Sequence, residues 1–197
     1  MGLGPSRRAL QRAPRPLRLE PAVERLLRVV LTGSESTGKT TLAADLAAHY
    51  RTVWSPEFAR AYADRKKGPL DRSDVEPIAR GQIAGEDEAD RRASRLLILD
   101  TDLLSTVVYG RHYYGRCPEW VEKAAQRRLG DLYLLHHPDV PWVADGAKRD
   151  LPQAREQVHA LFEEALEAFR ARWVDVRGQW PERRVAAVTA IDALLGP

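Results

Sequence analysis

The stretch Gly33-Ser34-Glu35-Ser36-Thr37-Gly38-Lys39-Thr40 is the most informative segment of this chain. It matches the pattern G-x-x-x-x-G-K-[ST], in which the backbone N–H groups of a glycine-rich loop surround a phosphate chain. An aliphatic run at 26–31 precedes the loop and favours a β-strand, and an Ala/Leu-rich run at 41–48 follows it and favours a helix. Strand, loop and helix in this order predict a nucleotide phosphate site at the N-terminus of the helix.

The residue types in this loop match the groups that a nucleoside triphosphate and its metal require. The Lys39 ammonium should reach the β- and γ-phosphates, which makes it a catalytic candidate, and the Thr40 hydroxyl should bind Mg²⁺. ATP and Mg²⁺ are therefore the expected cofactors. The residues expected to hold ATP are Gly33, Ser34, Glu35, Ser36, Thr37, Gly38, Lys39, Thr40 and Thr41. The alternative, an ordinary Gly-rich turn, leaves Lys39 without a role.

Strand and helix signals alternate along the rest of the chain. Short apolar runs predict five strands, at 26–31, 52–54, 96–99, 132–135 and 173–176. Buried strands separated by helices indicate a parallel sheet covered on both faces. We therefore expect an α/β protein with the P-loop NTPase fold, a three-layer α/β/α arrangement around a five-stranded parallel sheet.

The N-terminal segment differs in composition from the remainder. Residues 1–28 contain seven arginines and two glutamates, so the net charge of +3 for the whole chain leaves the other residues net negative. We expect residues 1–25 to form a basic, disordered tail and residues 26–197 to form the P-loop domain. A nucleic-acid-binding arm is the alternative for the tail. No aromatic residues accompany its arginines, however, and we expect no nucleic acid to bind the folded domain.

Cysteine content and hydropathy restrict the cellular setting. The single cysteine, Cys117, excludes an internal disulfide and a Cys-based zinc cluster. No segment has the roughly 18 apolar residues of a membrane span. We therefore expect a cytoplasmic protein that does not contact a membrane. The sequence specifies no oligomeric state.

Carboxylates follow two of the predicted strands. Asp100 and Asp102 end the third strand, and Glu57 follows the second. The carboxyl ends of parallel strands share one edge, so these side chains should lie near the phosphate loop. We expect Asp100 to hold Mg²⁺ and Glu57 to be the catalytic base that accepts a proton from a substrate hydroxyl. Asp102 is a further catalytic candidate. The alternatives are that Asp102 only caps the next helix and that Glu57 only complements a helix dipole.

A charged loop at 142–150 follows the fourth predicted strand. In phosphoryl transfer a mobile lid can bring cations over the transferring phosphate and exclude water. Arg149, Lys148 and Arg155 are the candidates for these cations, with Arg149 as the catalytic one. The alternative is a solvated loop with no role in the reaction.

Gly81-Gln82 interrupts a long helix whose start is predicted at Ser73, with Glu76 completing a capping box. A glycine costs about 1 kcal/mol in a helix interior, and a close approach of a ligand or of another helix would offset that cost. The Gln82 amide can donate and accept at once, as a carboxamide or a base edge requires. Tight helix packing is the alternative.

The sequence resembles the ribosylnicotinamide kinase domain of the bacterial NAD regulator NadR over about residues 28–195. The matching segments are 33–40, 56–62, 78–82, 100–106, 131–135, 138–146, 149–152 and 182–188. The chain departs from the family pattern in two places: Phe58 replaces a Tyr, and Lys148 stands where the family has Arg. The order and spacing of these segments are more specific than the phosphate loop alone.

The resemblance implies a fold like that of nucleoside and nucleotide kinases. It also implies that ATP phosphorylates the ribose 5′-hydroxyl of nicotinamide riboside, a small-molecule partner, to give nicotinamide mononucleotide for NAD salvage. Arg183 would contact the nucleotide. The residues expected to bind the riboside are Glu57, Arg60, Tyr62, Gln82, Asp102 and Trp142, with Trp54 and Phe58 as further aromatic candidates for stacking. Two alternatives stay open: a kinase of another nucleoside or nucleotide, and a nucleotide-dependent regulatory module.

Overall fold

The computed structural model describes residues 25–142 and 154–196. The strands in these residues are β1 (Leu27–Thr32), β2 (Val53–Ser55), β3 (Leu96–Asp100), β4 (Leu132–His136) and β5 (Trp173–Val176). They form one sheet in the order β2-β3-β1-β4-β5, and each strand is parallel to its neighbours. The predicted five-stranded parallel sheet is confirmed.

Helices cover both faces of this sheet. They are α1 (Lys39–His49), α2 (Phe58–Lys66), α3 (Val75–Asp90), α4 (Leu103–Tyr114), α5 (Glu119–Arg127), α6 (Arg155–Ala168) and α7 (Trp180–Leu195). Successive strand residues point to opposite faces, so each strand contributes to two cores. One core lies under α3, α4, α5 and α6 and includes Val30, Leu97, Leu99, Tyr133 and Leu135. The other lies under α1 and α7 and includes Val29, Leu31, Ile98, Leu132 and Leu134.

The connection between α2 and α3 differs from the expectation. A 3-10 turn at Arg72–Asp74 precedes α3, and the capping box forms between Asp71 and Asp74 rather than between Ser73 and Glu76. The Asp71 side chain accepts from the Ser73 N–H at 2.8 Å, and Asp74 accepts from the Asp71 N–H at 2.7 Å. An aspartate two residues earlier in the chain therefore provides the cap, with its carboxylate oxygen as the acceptor for the first turn.

Two predicted regions fall outside the described residues. They are the basic tail, of which only Arg25 is described, and the part of the 142–150 loop that contains Lys148 and Arg149. Both stay predictions. None of the helices that the structure describes is long and apolar enough to cross a membrane.

Candidate active site

The phosphate loop connects β1 to α1 and depends on two glycines. Gly33 has φ of 120°, and a Cβ atom there would lie 2.7 Å from the carbonyl oxygen of His136. Gly38 caps α1 with φ of 82°, in the left-handed region that side chains rarely adopt. The Lys39 ammonium donates to the carbonyl oxygens of Gly33 at 3.0 Å and Ser34 at 2.7 Å. This places the lysine across the loop whose N–H groups surround a phosphate.

Thr40 and Asp100 form the group that fits the predicted magnesium site. The Thr40 hydroxyl donates to Asp100 Oδ2 at 2.6 Å. Asp100 is 1% exposed, and its Oδ1 atom is buried with no hydrogen-bond partner among the described residues. Burial raises the pKa of Asp100, against the opposing effects of the Thr40 hydrogen bond and the Lys39 charge. Hydroxyl and carboxylate oxygens are ligands that Mg²⁺ prefers, and the unpartnered Oδ1 atom of Asp100 is available as one such ligand.

Arg183 is buried against the phosphate loop, and its expected contact with the nucleotide stays a prediction. Its side chain is 2% exposed. Its guanidinium donates to the carbonyl oxygens of Gly178 at 2.7 Å, Thr37 at 3.2 Å and His137 at 2.8 Å. It also forms an ion pair with Asp139. Arg183 therefore joins the loops that follow β1, β4 and β5.

Two further side chains hold the loop from the same side. His136 Nδ1 lies 3.0 Å from the Thr37 carbonyl oxygen, and complete burial lowers the pKa of His136 to about 3. Arg155, at the start of α6, donates to the carbonyl oxygens of Val140 at 2.9 Å and Ser36 at 3.4 Å. Arg155 was a candidate for the lid, and the structure places it against the base of the loop.

A cavity of about 1000 Å³ opens beside the phosphate loop, between α2, α3 and α4. Glu35 of the loop and Glu57 both line it, so the cavity adjoins the phosphate site. Glu57 precedes α2 without making a side-chain cap, and its Oε2 atom lies 3.8 Å from Arg60 Nε. The structure therefore brings the predicted base to the wall of the cavity, and Glu57 also lines a second cavity of about 430 Å³ together with Arg60.

The aromatic wall of this cavity consists of residues that the sequence analysis did not name. Tyr109 and Tyr113 of α4 line the cavity, and their rings stack with centroids 5.8 Å apart and an angle of 8° between planes. Tyr62 and Trp142 are not among the lining residues: the Tyr62 hydroxyl donates to Asp74 at 2.9 Å. The sequence did contain a signal for this aromatic wall. Two tyrosines stand four residues apart on the helix after Asp100, a spacing that places both on one face of the helix.

Asp102 is buried and is not among the described residues that line the cavity. Its Oδ1 atom accepts from the Leu104 N–H at 3.0 Å and caps α4, and its Oδ2 atom accepts from the Tyr133 hydroxyl at 2.6 Å. Burial, with the nearby Glu86 carboxylate, raises the pKa of Asp102 to about 7. The structure shows the capping alternative, and both carboxylate oxygens are already used. The expected substrate contact of Asp102 stays a prediction.

Gln82 lines the cavity, but its amide is bonded to the protein. The amide oxygen accepts from the Phe58 N–H at 3.0 Å, and the nitrogen donates to the Thr101 carbonyl oxygen and to Glu86, each at 3.3 Å. A Cβ atom at Gly81 would lie 2.1 Å from the Phe58 ring. Helix packing, the alternative named for this pair, is therefore what the structure shows, and the expected pairing of Gln82 with a carboxamide stays a prediction.

The phosphate loop between β1 and α1, the adjoining cavity and this strand order define a P-loop NTPase with the fold of nucleoside and nucleotide kinases. Within that class, residues 28–183 match the family described as AAA domain. The chain belongs to this family.

Similarity to individual proteins agrees with this assignment. The "Trifunctional NAD biosynthesis/regulator protein NadR" of Escherichia coli (strain K12) is 30% identical over 175 residues, which are 85% of this chain and 42% of NadR. The chain thus spans less than half the length of that relative. A crystal structure of NadR in complex with NR matches with a TM-score of 0.68 at 22% identity, and one in complex with NAD and AMP-PNP with 0.70 at 23%. Each match covers 87% of this chain and 50% of the NadR chain.

The thymidylate kinase from Ehrlichia chaffeensis has the same fold. It matches with a TM-score of 0.62 at 12% identity, over 85% of this chain and 99% of that kinase. Structural matches at these identities show the fold alone, which is that of P-loop kinases.

Proposed function

We propose that this protein is a ribosylnicotinamide kinase, which transfers the γ-phosphoryl group of ATP to the ribose 5′-hydroxyl of nicotinamide riboside. The observation on which the proposal depends is that Glu57 lines a cavity that also reaches Glu35 of the phosphate loop. A hydroxyl bound there would lie between a carboxylate and the end of a phosphate chain, as phosphoryl transfer requires. The similarity to NadR supports the choice of substrate.

The described side chains divide the reaction between them. Thr40 and Asp100 would hold Mg²⁺, which when bound neutralises charge on the phosphate oxygens. The Lys39 ammonium would stabilise the charge that develops on the transferring group. Glu57 would accept the hydroxyl proton, so that the ribose oxygen bonds to phosphorus and the bond from phosphorus to the ADP oxygen breaks. Arg149 stays the proposed cation of the lid. A cytoplasmic location stays part of the proposal, and the use of ATP agrees with it.

Tyr109 and Tyr113 would bind the nicotinamide ring. Nicotinamide riboside has a cationic pyridinium ring, and the face of a tyrosine ring attracts a cation within about 6 Å. The stacked pair presents a flat aromatic surface on α4, and Tyr113 is 43% exposed, so its ring is accessible to a ligand in the cavity. These two residues take the role that the sequence analysis gave to Trp142 and Tyr62.

An ATP-consumption assay with purified protein tests the function directly. Nicotinamide riboside should be phosphorylated with a kcat/KM well above those for thymidine, uridine and cytidine, and mass spectrometry should identify nicotinamide mononucleotide. Equal kcat/KM values for thymidine would favour a general nucleoside kinase. ATP hydrolysis that no nucleoside accelerates would favour the regulatory module.

Variants of the tyrosine wall test the placement of the ring. Tyr109→Ala and Tyr113→Ala should each raise the KM for nicotinamide riboside about 10-fold and leave the KM for ATP unchanged. Tyr50→Phe is the matched control, because Tyr50 follows α1 and its hydroxyl donates to Asp192 on α7, away from the cavity. An unchanged riboside KM in both tyrosine variants would reject this placement.

A further inference from the structure

The corner between β2 and α2, where Glu57 stands, is packed less firmly than the strand that carries Asp100. None of the nine residues that the structure describes in α2 is buried, and Glu57 does not cap this helix with its side chain. The preceding strand, β2, has three residues and lies at the edge of the sheet. In β3, by contrast, all five residues are buried. The position of this corner therefore depends on contacts from other elements.

Gln82 on α3 provides one such contact. Its side-chain oxygen accepts from the N–H of Phe58, the first residue of α2, at 3.0 Å. The first N–H groups of a helix have no partner within the helix, so Gln82 caps α2 from outside. Gln82 is 3% exposed and lines the cavity beside the phosphate loop, as Glu57 does. The capped residue is thus the direct neighbour of the proposed base.

The nitrogen of the same amide is bonded to the corner that carries Asp100. It donates to the carbonyl oxygen of Thr101, the residue after Asp100, at 3.3 Å. The sheet fixes this corner, because Asp100 pairs in register with Leu31 of β1 and the Thr101 N–H donates to the Leu31 carbonyl oxygen at 3.0 Å. One amide therefore links the residue after Glu57 to the residue after Asp100.

Glu86 determines the orientation of the Gln82 amide. The Gln82 nitrogen also donates to Glu86 Oε1 at 3.3 Å. The other oxygen of this fully buried carboxylate accepts from Arg28 and from Arg128. A flipped amide would place its oxygen against a carboxylate and a carbonyl group, which are both acceptors. Glu86, held by two arginines, therefore keeps the Gln82 oxygen directed at α2.

We propose, on the basis of the proposed function, that Gln82 is a positioning residue that holds Glu57 in place relative to Asp100 at the phosphate site. A base must lie within hydrogen-bond distance of the acceptor hydroxyl, and that hydroxyl must be aligned with the transferring phosphate. A displacement of about 1 Å in such a geometry can lower the rate about 10²-fold. Gln82 transfers the fixed position of the β3 corner to the less firmly packed start of α2.

Gln82→Met tests this role, because methionine has a similar length but lacks the N–H donors and the oxygen of the amide. The kcat for nicotinamide riboside should fall at least about 10-fold, while the KM for ATP stays unchanged. In a Glu57→Gln background the same substitution should lower kcat little further, because the base that Gln82 positions is already lost. Equal fold losses of kcat in both backgrounds would overturn the proposal.

Gln82→Asn is the second variant, for use if Gln82→Met fails to fold. Its amide is one carbon closer to the backbone and cannot span both backbone groups, so kcat should fall here too. Gln126→Met, at an exposed position on α5, and Ile191→Val, in the core under α1 and α7, are controls that should keep the wild-type kcat. Wild-type kcat in a folded Gln82→Asn protein would overturn the proposal. A higher riboside KM with unchanged kcat would also overturn it, in favour of pairing with the carboxamide.

Hydrogen–deuterium exchange without substrates tests the link itself. Gln82→Met should increase exchange at the start of α2, over residues 57–64, and leave β1 unchanged, because the cap of α2 is lost. Unchanged exchange at the start of α2 would overturn the positioning role. A wild-type protein that phosphorylates no riboside would reject the proposed function, whereas the exchange result would still support or overturn the link. The two proposals therefore fail in distinguishable ways.

Discussion

Arg183 on α7 and Thr37 in the phosphate loop are 146 residues apart in the sequence, and a hydrogen bond of 3.2 Å joins the Arg183 guanidinium to the Thr37 carbonyl oxygen. The same guanidinium reaches the loops after β4 and β5. The conformation of the phosphate loop is therefore maintained from behind by the protein, before any nucleotide binds. Such preorganisation reduces the ordering cost of binding ATP.

Arg183→Lys should weaken ATP binding without affecting the riboside. A lysine cannot make the three carbonyl contacts of the guanidinium at once, so we expect the KM for ATP to rise about 10-fold. The free energy of unfolding should fall by about 1–3 kcal/mol, because buried carbonyl groups lose their donors. Arg184→Lys is the control, since Arg184 pairs with Asp45 near the surface. Steady-state kinetics and urea unfolding measure both effects, and wild-type ATP kinetics in Arg183→Lys would contradict this role.

Glu57→Gln should lower kcat by about 10²-fold or more and leave ATP affinity nearly unchanged, because the amide keeps the shape of the side chain but cannot accept a proton. Asp102→Asn should instead lower stability, since Asp102 caps α4 and accepts from Tyr133. Single-turnover kinetics with calorimetric melting curves distinguish the two variants. A large loss of kcat in a folded Asp102→Asn protein, together with normal kcat in Glu57→Gln, would reverse the assignment.

Two glycines four residues apart on α3 should respond in opposite ways to alanine. At Gly81 the added Cβ atom would lie 2.1 Å from the Phe58 ring, and at Gly85 it would lie 3.5 Å from the Ser55 hydroxyl, an ordinary contact. Gly81→Ala should therefore lower the free energy of unfolding by about 1–2 kcal/mol, because the ring must move. Gly85→Ala should raise it by up to about 1 kcal/mol through helix propensity. Chemical denaturation measures both, and equal effects would contradict the close packing of α2 on α3.

His136 should make stability depend on pH. Burial lowers the pKa of His136 to about 3, whereas an unfolded histidine titrates near 6.5. Between these values the unfolded state binds a proton that the folded state does not. The stability present above pH 6.5 is therefore lost as pH falls, by about 1.4 kcal/mol per pH unit.

Urea unfolding between pH 7 and pH 4 measures this effect. His136→Gln should remove that slope from the stability curve, whereas His49→Gln, a change at an exposed position, should retain it. A His136→Gln curve parallel to the wild type would show that His136 does not titrate in this way.

The sequence alone was sufficient for features that depend on local pattern. The phosphate loop, the five strands and the place of Asp100 follow from residue spacing and from the shared edge of parallel strands. The direction in which a side chain points was harder to predict from the sequence. Thr101 has φ of 66°, so the chain turns sharply between Asp100 and Asp102, and the two carboxylates face different surroundings. The spacing of two residues predicted that both carboxylates lie at the same edge of the sheet, but it did not predict that they face different surroundings.

Contacts between segments that are distant in the sequence were the other feature that could not be predicted from the sequence. Gln82 has an amide that suits a ligand, but the Phe58 N–H and the Thr101 carbonyl group meet it only in the folded chain. Arg183 likewise has the chemistry of a phosphate ligand, and its partners come from three separate loops. Residue type defined what these side chains can bind, whereas the tertiary structure determined which partner they use.

The strand order separates the wall of the cavity beside the phosphate loop from the residues that brace that loop. Apart from Glu35, the described residues that line this cavity follow β2 and β3 on one side of β1, and those that brace the phosphate loop follow β4 and β5 on the other. The hydrogen bond from Thr40 to Asp100 joins the two groups across β1. The segment from 53 to 114 contains every described residue of the cavity wall except Glu35, so it is the part of the chain to redesign for a new acceptor.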